Sequence, residues 1–237
     1  MGEKTVGVLG GMGPEATLDC FAKIIRATRA DKDQEHLHVI IDSNAKVPDR
    51  TAAVLGKGPS PVPALVASAS ALARAGADFL VMPCVSAHVF LEEVRARVGI
   101  PILSMFDVVA EAIAEERPAL HTVGLLGTTG TITGGLFQKR LLEDGVATVV
   151  PDATNQERVM AAIYGIKRGG PGRAPSAASS DLAGVAEALV RRGAQAIVAG
   201  CTEIPLVLAS ADLSVPYFDS VLVLARAAVV HAGGRLG

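Results

Sequence analysis

Short apolar runs alternate with amphipathic stretches along most of the chain. The runs that predict strands are Thr5–Leu9, Leu37–Ile41, Phe79–Met82, Ile100–Leu103, Thr122–Leu126, Ala147–Val150, Ala196–Ala199 and Val215–Phe218. The stretches with helical periodicity are 15–29, 62–75, 87–97, 107–116, 131–143, 155–168, 181–192 and 219–231. Strands and helices that alternate in this way are typical of parallel sheets built from βαβ units. The pattern therefore predicts an α/β fold.

The second half of the chain repeats the pattern of the first half. Thr5–Gly13 (TVGVLGGMG) aligns with Thr122–Gly130 (TVGLLGTTG) at an offset of 117 residues. Ala71–Cys84 aligns with Ala188–Cys201 at the same offset, with 7 of 14 positions identical and no gap. We therefore predict two similar, duplicated α/β domains, each a parallel sheet flanked by helices, related by pseudo-twofold symmetry.

The expected division of the chain places residues 1–104 and 216–237 in the first domain and residues 105–215 in the second. Two stretches rich in Pro, Gly and Ser, Ser43–Pro63 and Gly169–Ser180, predict long loops at roughly corresponding places in the two halves. Loops of this kind are either ordinary surface connections or lids over a shared cleft.

The composition excludes several classes of function. The 237 residues are 50% hydrophobic, and 22 Lys and Arg stand against 24 Asp and Glu, so the formal net charge is −2. This charge, with 3% aromatic residues and no Trp, argues against a nucleic-acid-binding protein. The apolar runs are too short to span a bilayer. Three cysteines without metal-ligand spacing favour a cytoplasmic protein without disulfides or a metal site.

Two of the three cysteines occupy equivalent positions in the repeat. Cys84 and Cys201 each end a predicted strand and precede a predicted helix start, with Ser86 as a candidate N-cap and Pro205 in a first turn. A helix N-terminus favours a thiolate. Because open α/β sheets bind ligands at the carboxyl ends of their strands, we expect both thiols to face one cleft. Cys20 lies within a helical pattern and is expected to be structural.

Two thiols on opposite faces of one carbon atom suit the inversion of a stereocentre without a cofactor. One thiolate removes a proton and the other thiol delivers one to the far face. An amino-acid α-proton is a weak acid, so the site must also stabilise the carbanion. Arg50, in the first long loop, and Lys167, just before the second, are candidate partners for carboxylates. The remaining candidates are backbone amides at Gly10–Gly13 and Gly127–Gly130 and the hydroxyls of Thr128, Thr129 and Thr202.

The chain resembles the aspartate/glutamate racemase family over essentially its whole length. The motifs that carry the resemblance are Gly10–Thr17 (GGMGPEAT), Pro48–Thr51 (PDRT), Met82–His88 (MPCVSAH), Ile163–Lys167 (IYGIK) and Gly200–Leu206 (GCTEIPL). The resemblance implies two similar α/β domains, a homodimer, and catalysis without pyridoxal phosphate. It also implies that Cys84 and Cys201 are the catalytic bases and that Arg50 and Lys167 hold the substrate's carboxylates. The full substrate-binding set is expected to be Met12, Arg50, Val85, Ser86, Thr129, Lys167 and Thr202.

The chain departs from the family pattern at one position of the first cysteine motif. Family members commonly carry Asn where this chain has Val85, which has neither a donor nor an acceptor, whereas Ser86 retains a hydroxyl. Leaving a polar group of the substrate unpaired costs ~1–3 kcal/mol, enough to change substrate preference. The expected reaction is racemisation of an acidic amino acid of the aspartate or glutamate class. Maleate isomerisation and hydantoin-type racemisation, both known in the same superfamily, stay open.

Two alternatives come from other functional classes. Gly11–Ala16 (GMGPEA) follows a predicted strand and matches a dinucleotide-binding fingerprint, and Asp42 ends the next strand. This pattern would suit an NAD-dependent oxidoreductase, although Glu15 would repel the pyrophosphate. The other alternative is an amino-acid-binding protein without catalysis, because clefts between two domains also serve binding. It would not need the two cysteines.

Overall fold

The structure is a computed structural model that describes residues 3–116, 118–169 and 177–237. Its first half contains a parallel sheet of three strands, β1 (Val6–Gly10), β2 (Val39–Ser43) and β3 (Phe79–Val81). The strand order is β2-β1-β3, with β1 between the other two. All five residues of β1 are buried, as expected for a central strand covered on both faces.

The second half contains a parallel sheet of four strands, β4 (Thr122–Gly127), β5 (Ala147–Val149), β6 (Ile197–Gly200) and β7 (Tyr217–Asp219). Its order, β5-β4-β6-β7, repeats the order of the first sheet with one strand added. The equivalent strands β1 and β4 are central in their sheets. The prediction of an α/β fold with two parallel sheets is confirmed.

One predicted strand is reduced to a single bridge. Within Ile100–Leu103, only Ile102 pairs with the first sheet, in parallel with Leu80. Pro101 cannot donate the hydrogen bond that would extend the pairing backwards. Ser104 caps the next helix by accepting a hydrogen bond from the Asp107 amide, so the chain turns away immediately afterwards. The prediction of a full strand at Ile100–Leu103 is therefore wrong.

Helices cover both faces of the sheets. Their bounds are α1 Pro14–Ala27, α2 Arg50–Val54, α3 Val62–Arg74, α4 Leu91–Arg95, α5 Met105–Ala114, α6 Thr129–Gly134, α7 Leu136–Glu143, α8 Ala153–Gly169, α9 Ala178–Arg191 and α10 Ser220–Ala232. The predicted loop Ser43–Pro63 contains the short helix α2. The predicted helix 131–143 is divided at Gly135, whose φ of +66° ends α6 and begins α7. Within the predicted loop Gly169–Ser180, residues 170–176 lie outside the described residues.

The last segment of the chain contacts both halves. β7 pairs with β6 in the second sheet, whereas α10 packs against α1 and α5. After α10 the chain also binds the end of α1, through a bridge between Leu236 and Thr28. Residues 216–237 thus tie the two halves together, and the predicted domain boundaries stay a prediction. Among the described helices, none has a long enough apolar stretch to cross a bilayer.

Candidate active site

A buried cavity lies between the two halves, where the carboxyl ends of β1, β3, β4 and β6 meet. Its walls are formed by Met12, Asp49, Arg50, Thr51, Cys84, Val85, Ser86, Thr128, Thr131, Tyr164, Lys167, Cys201, Thr202 and Glu203. The space open to the centre of a water molecule is about 10 Å³, roughly the room that one water needs. The cavity is therefore closed around its polar groups in this structure.

Most of the site residues expected from the sequence line this one cavity. They are Met12, Arg50, Cys84, Val85, Ser86, Lys167, Cys201 and Thr202. Thr129 is the exception among the described residues, because its amide faces Met160 Sδ at 3.2 Å and its hydroxyl lies 3.5 Å from Gln156. Thr128 and Thr131 form that part of the wall instead. Thr128 is the N-cap of α6 and accepts a hydrogen bond from the Thr131 amide, which aims both side chains inward.

Cys84 lies three residues beyond β3 and is buried. The chain continues as a short 3-10 helix, Val85–Phe90, and Cys84 rather than Ser86 is its N-cap. The expected α-helix at 87–97 is consequently shortened to α4. The Cys84 sulfur lies 3.7 Å from the Ser86 hydroxyl, and either group can be the donor. The thiol of Cys84 thus faces a hydroxyl.

His88 holds the backbone of Cys84 in place. Its Nε2 accepts a hydrogen bond from the Met105 amide at 3.1 Å, so its Nδ1 carries the proton and donates to the Cys84 carbonyl at 2.9 Å. Burial lowers the pKa of His88 to about 4. The imidazole is therefore neutral at physiological pH. It links the cysteine of the first half to the N-terminus of α5.

Cys201 directly follows β6 and is also buried. The segment after it forms only a three-residue 3-10 helix, Ile204–Leu206, so it lacks the dipole of a full α-helix. Its thiol donates a hydrogen bond to Glu203 Oε2 at 3.0 Å. Burial and the adjacent Glu203 carboxylate raise the pKa of Cys201 well above its ordinary value. The expectation that a helix N-terminus favours a thiolate is therefore wrong for Cys201.

Glu203 is the main site residue that the sequence reasoning missed. Only 2% of its surface is exposed. Its Oε1 accepts hydrogen bonds from Lys167 Nζ at 2.7 Å and from the Gly13 amide at 3.2 Å. Its Oε2 accepts the hydrogen bond from the Cys201 thiol and lies 3.4 Å from the Thr202 hydroxyl. A signal was present, because Glu203 stands two residues after a cysteine, at the position equivalent to Ser86.

The two predicted cations enter the cavity from different halves. Arg50 begins α2, and one of its terminal nitrogens donates to the carbonyls of Val47 and Pro48 at 3.0 and 2.9 Å. Its Nε is buried without a partner and remains available to a ligand. Lys167, near the end of α8, is paired with Glu203. Burial alone would lower the pKa of Lys167, but the neighbouring Glu203 and the thiols raise it, so the ammonium stays charged.

The two halves touch directly across the cavity. The Thr51 hydroxyl donates a hydrogen bond to the Thr128 hydroxyl at 3.3 Å. At Gly130, an added Cβ would lie 2.9 Å from the Cα of Thr51, so the backbones approach closely. Tyr164, one turn before Lys167 on α8, completes the wall, and burial followed by the nearby Asp49 raises its pKa. These side chains could not be placed from the sequence because they meet only through the tertiary fold.

Two amides of the glycine-rich turn after β1 are hydrogen-bonded to side chains of the protein, so they are not available to a phosphate. The Gly11 amide donates to the Thr17 hydroxyl at 2.8 Å, and the Gly13 amide donates to Glu203. Gly11 has a φ of +89°, and a Cβ there would lie 2.2 Å from the backbone of Asn44. A pyrophosphate needs these amides and this space. The local geometry therefore argues against the dinucleotide-binding alternative.

Relatives that span the whole chain place this protein in the class of amino-acid racemases, which are isomerases. The chain belongs to the Asp/Glu/hydantoin racemase family, whose model matches residues 9–228. This family assignment argues against the alternative that the protein is an NAD-dependent oxidoreductase.

Individual relatives support this assignment over the whole chain. The chain is 29% identical over 229 residues to the broad specificity amino-acid racemase RacX of Bacillus subtilis, covering 94% of this chain and 96% of the relative. Among solved structures it is similar to Picrophilus torridus aspartate racemase, with a TM-score of 0.87, 29% identity and coverage of 99% and 96% of the two chains. It is also similar to an aspartate racemase homologue from Pyrococcus horikoshii, with a TM-score of 0.76, 27% identity and coverage of 97% and 99%.

Proposed function

We propose that this protein is a cofactor-independent racemase of an acidic amino acid, of the aspartate or glutamate class. The observation that carries the proposal is that each half contributes one thiol and one cation to a single buried cavity. The thiols are Cys84 and Cys201, and the cations are Arg50 and Lys167. This set matches the needs of a two-base transfer, namely an acid, a base and partners for negative charge.

In the proposed reaction, one cysteine thiolate removes the α-proton and the thiol of the other cysteine delivers its proton to the opposite face of Cα. The new C–H bond forms as the S–H bond breaks, so one proton passes from one sulfur to the carbon and another from the carbon to the other sulfur. Arg50 and Lys167 stabilise the substrate's carboxylates, one on each side. Exclusion of water from the buried cavity strengthens both interactions.

Substrate binding requires the cavity to open. Room for about one water cannot hold an amino acid, so the cavity walls have to move apart to admit it. The hydrogen bond between Thr51 and Thr128 joins the two halves across the cavity and is a candidate for the contact that separates. Inside, a substrate carboxylate meets a Lys167 that is already paired with Glu203. The unpartnered Nε of Arg50 is the more accessible anchor for the first carboxylate. Lys167 keeps one donor on Glu203 and offers its remaining donors to the second carboxylate.

The test is exchange of the α-proton in deuterated water, followed by NMR for both enantiomers of aspartate and glutamate. The matched control is Cys20→Ala, which removes a buried thiol that lies outside the cavity wall. We expect exchange and racemisation by the wild type and by this control, and loss of racemisation in Cys84→Ala and Cys201→Ala. If no acidic amino acid exchanges, the proposed substrate class is wrong.

A second candidate is a racemase with a broad range of amino acids. Val85 is apolar, only 2% exposed, and part of the cavity wall. An apolar wall accepts an aliphatic side chain better than a second carboxylate. The Bacillus subtilis relative is named for broad specificity. Neutral amino acids, hydantoins and maleate therefore belong in the same substrate panel, and faster turnover of neutral amino acids would favour this candidate.

A further inference from the structure

The two cysteines of the cavity have different partners at equivalent positions of the repeat. With the offset of 117 residues, Cys84 corresponds to Cys201, and the residue two positions later is Ser86 in the first half and Glu203 in the second. In both halves this residue contacts the sulfur, at 3.7 Å for Ser86 Oγ and 3.0 Å for Glu203 Oε2. The two sulfurs thus occupy equivalent positions of the repeat, but one has a hydroxyl as its neighbour and the other has a carboxylate.

These neighbours favour opposite protonation states. A serine hydroxyl can donate a hydrogen bond, and a donor stabilises a thiolate. A carboxylate can only accept, so it stabilises the protonated thiol and repels a thiolate. Coulomb repulsion between two charges about 3 Å apart is strong in a buried site that excludes water.

Glu203 is fixed in its accepting role by the groups around it. Lys167 Nζ and the Gly13 amide both donate to Oε1, which orients the carboxylate so that Oε2 faces the Cys201 sulfur. Oε2 has the Thr202 hydroxyl as its other near neighbour, at 3.4 Å. The first half provides no carboxylate contact to the Cys84 sulfur among the described residues.

No other titratable or charged group among the described residues forms a hydrogen bond with either sulfur. The groups of this kind around the cavity are Asp49 and Arg50 at the start of α2, Tyr164 and Lys167 on α8, and Tyr217 on β7. Lys167 interacts with both thiols, and Tyr164 and Tyr217 are neutral below their raised pKa values. The residues two positions after each cysteine are therefore the ones that contact the sulfurs directly.

We propose that Ser86 and Glu203 are positioning residues that give the free enzyme one preferred protonation state, with Cys84 as the resting base and Cys201 as the resting acid. The kinetic consequence of this inference rests on the proposed function, whereas the protonation state itself does not. One enantiomer, the one whose α-proton faces Cys84, binds the resting enzyme directly. The other enantiomer needs the reversed state, which forms when Cys84 gains a proton from water and Cys201 loses one to water.

The asymmetry has a defined kinetic signature. Enantiomers with one stereocentre have equal free energies, so kcat/KM must be equal in the two directions. A ligand that binds only a minor state has its apparent dissociation constant raised in inverse proportion to the population of that state. The enantiomer that needs the reversed state therefore has the higher KM and, in the same proportion, the higher kcat.

The first experiment measures alkylation of each cysteine by iodoacetamide as a function of pH, resolved by peptide mass spectrometry. The midpoint of each pH profile is the pH at which half of that cysteine is a thiolate, the form that reacts. Because both sulfurs line the same cavity, opening of the cavity affects both alkylation rates. We expect a lower midpoint for Cys84 than for Cys201 in the wild type. Glu203→Gln places an amide donor next to Cys201 and should lower the Cys201 midpoint by at least about one pH unit, a tenfold gain in reactivity at neutral pH.

Controls make the alkylation experiment specific. Glu157→Gln is the same substitution on the exposed face of α8 and should leave both midpoints unchanged. Cys20, whose pKa is raised to about 12 by burial and by Asp19, is an internal reference that should stay unreactive in every variant. Glu203→Asp restores an acceptor and should move the Cys201 midpoint back towards the wild type. If Glu203→Gln does not fold, Ser86→Ala provides the independent test, with a raised midpoint for Cys84.

The outcomes separate this inference from the proposed function. A Cys201 midpoint that is equal to or below that of Cys84, or that does not move in Glu203→Gln, overturns the inference even if the protein racemises amino acids. A shifted midpoint without racemisation of any substrate overturns the proposed function and leaves the inference standing. If both hold, Glu203→Gln should also narrow the difference in KM between the two enantiomers.

Discussion

His88 provides a quantitative test of how the Cys84 segment is held. Its buried imidazole has a pKa of about 4 in the folded protein, against about 6.5 in an unfolded chain. Because the folded value is lower, the unfolded state binds the proton first as the pH falls. The stability that the neutral imidazole provides is therefore complete above pH 6.5 and is lost progressively towards pH 4. Between pH 7.5 and 5.0 the loss amounts to about 2 kcal/mol.

The assay is urea unfolding of the wild type and His88→Asn at pH 7.5, 6.5, 5.5 and 5.0. At pH 7.5 the variant should be less stable by roughly 1–3 kcal/mol, because the Met105 amide or the Cys84 carbonyl loses its buried partner. The variant cannot be protonated at this position, so the stability difference should shrink by about 2 kcal/mol by pH 5.0. His121→Asn, at an exposed position, is the matched control. A difference that stays constant with pH would refute a buried neutral His88.

Other predictions concern the thiols and cations of the cavity. Cys84→Ala and Cys201→Ala should each abolish racemisation in both directions. Each variant should still exchange deuterium into one enantiomer, with retention of configuration, through its surviving thiol. Chiral chromatography measures the racemisation and NMR measures the deuterium exchange. The two variants should exchange opposite enantiomers, whereas Cys20→Ala behaves as the wild type, and near-normal racemisation by both single variants would make the thiols structural. Arg50→Ala and Lys167→Ala should each lower kcat/KM about ten- to hundredfold, since a hydrogen bond to a charged group contributes about 1.5–3 kcal/mol. Steady-state kinetics checks this, and unchanged values would show that neither cation contributes to substrate binding or turnover.

The repeat explains why much of the site could be predicted from the sequence. The offset of 117 residues distinguishes Cys84 and Cys201 from Cys20. Because strand ends in parallel sheets converge, this offset also predicts that the two thiols share one cleft. Both line the same cavity. Arg50 and Lys167 belong to the family motifs, and both also line it.

The remaining features depend on tertiary contacts that local patterns do not encode. Glu203 lies in one of the family motifs, but its contact with the site depends on its burial against Lys167, which the local pattern does not show. The sequence names Thr128 and Thr129 as candidate hydroxyls, whereas Thr128 and Thr131 line the cavity, because Thr128 caps α6 and its side chain binds the Thr131 amide. After Cys201 the chain forms only the three-residue 3-10 helix Ile204–Leu206, where the sequence predicts the first turn of a longer helix.

The packing of α10 against α1 has a consequence for biosynthesis. The apolar face of α1, which includes Cys20 and Ile24, belongs to the same core as Leu224 and Ala228 of α10. On the ribosome α10 follows α1 by roughly 190 residues, a delay of roughly 10–40 s at ordinary rates of translation. During that interval the first half carries an uncovered hydrophobic face on its nascent chain. This face therefore needs protection from early in translation until α10 has emerged and docked.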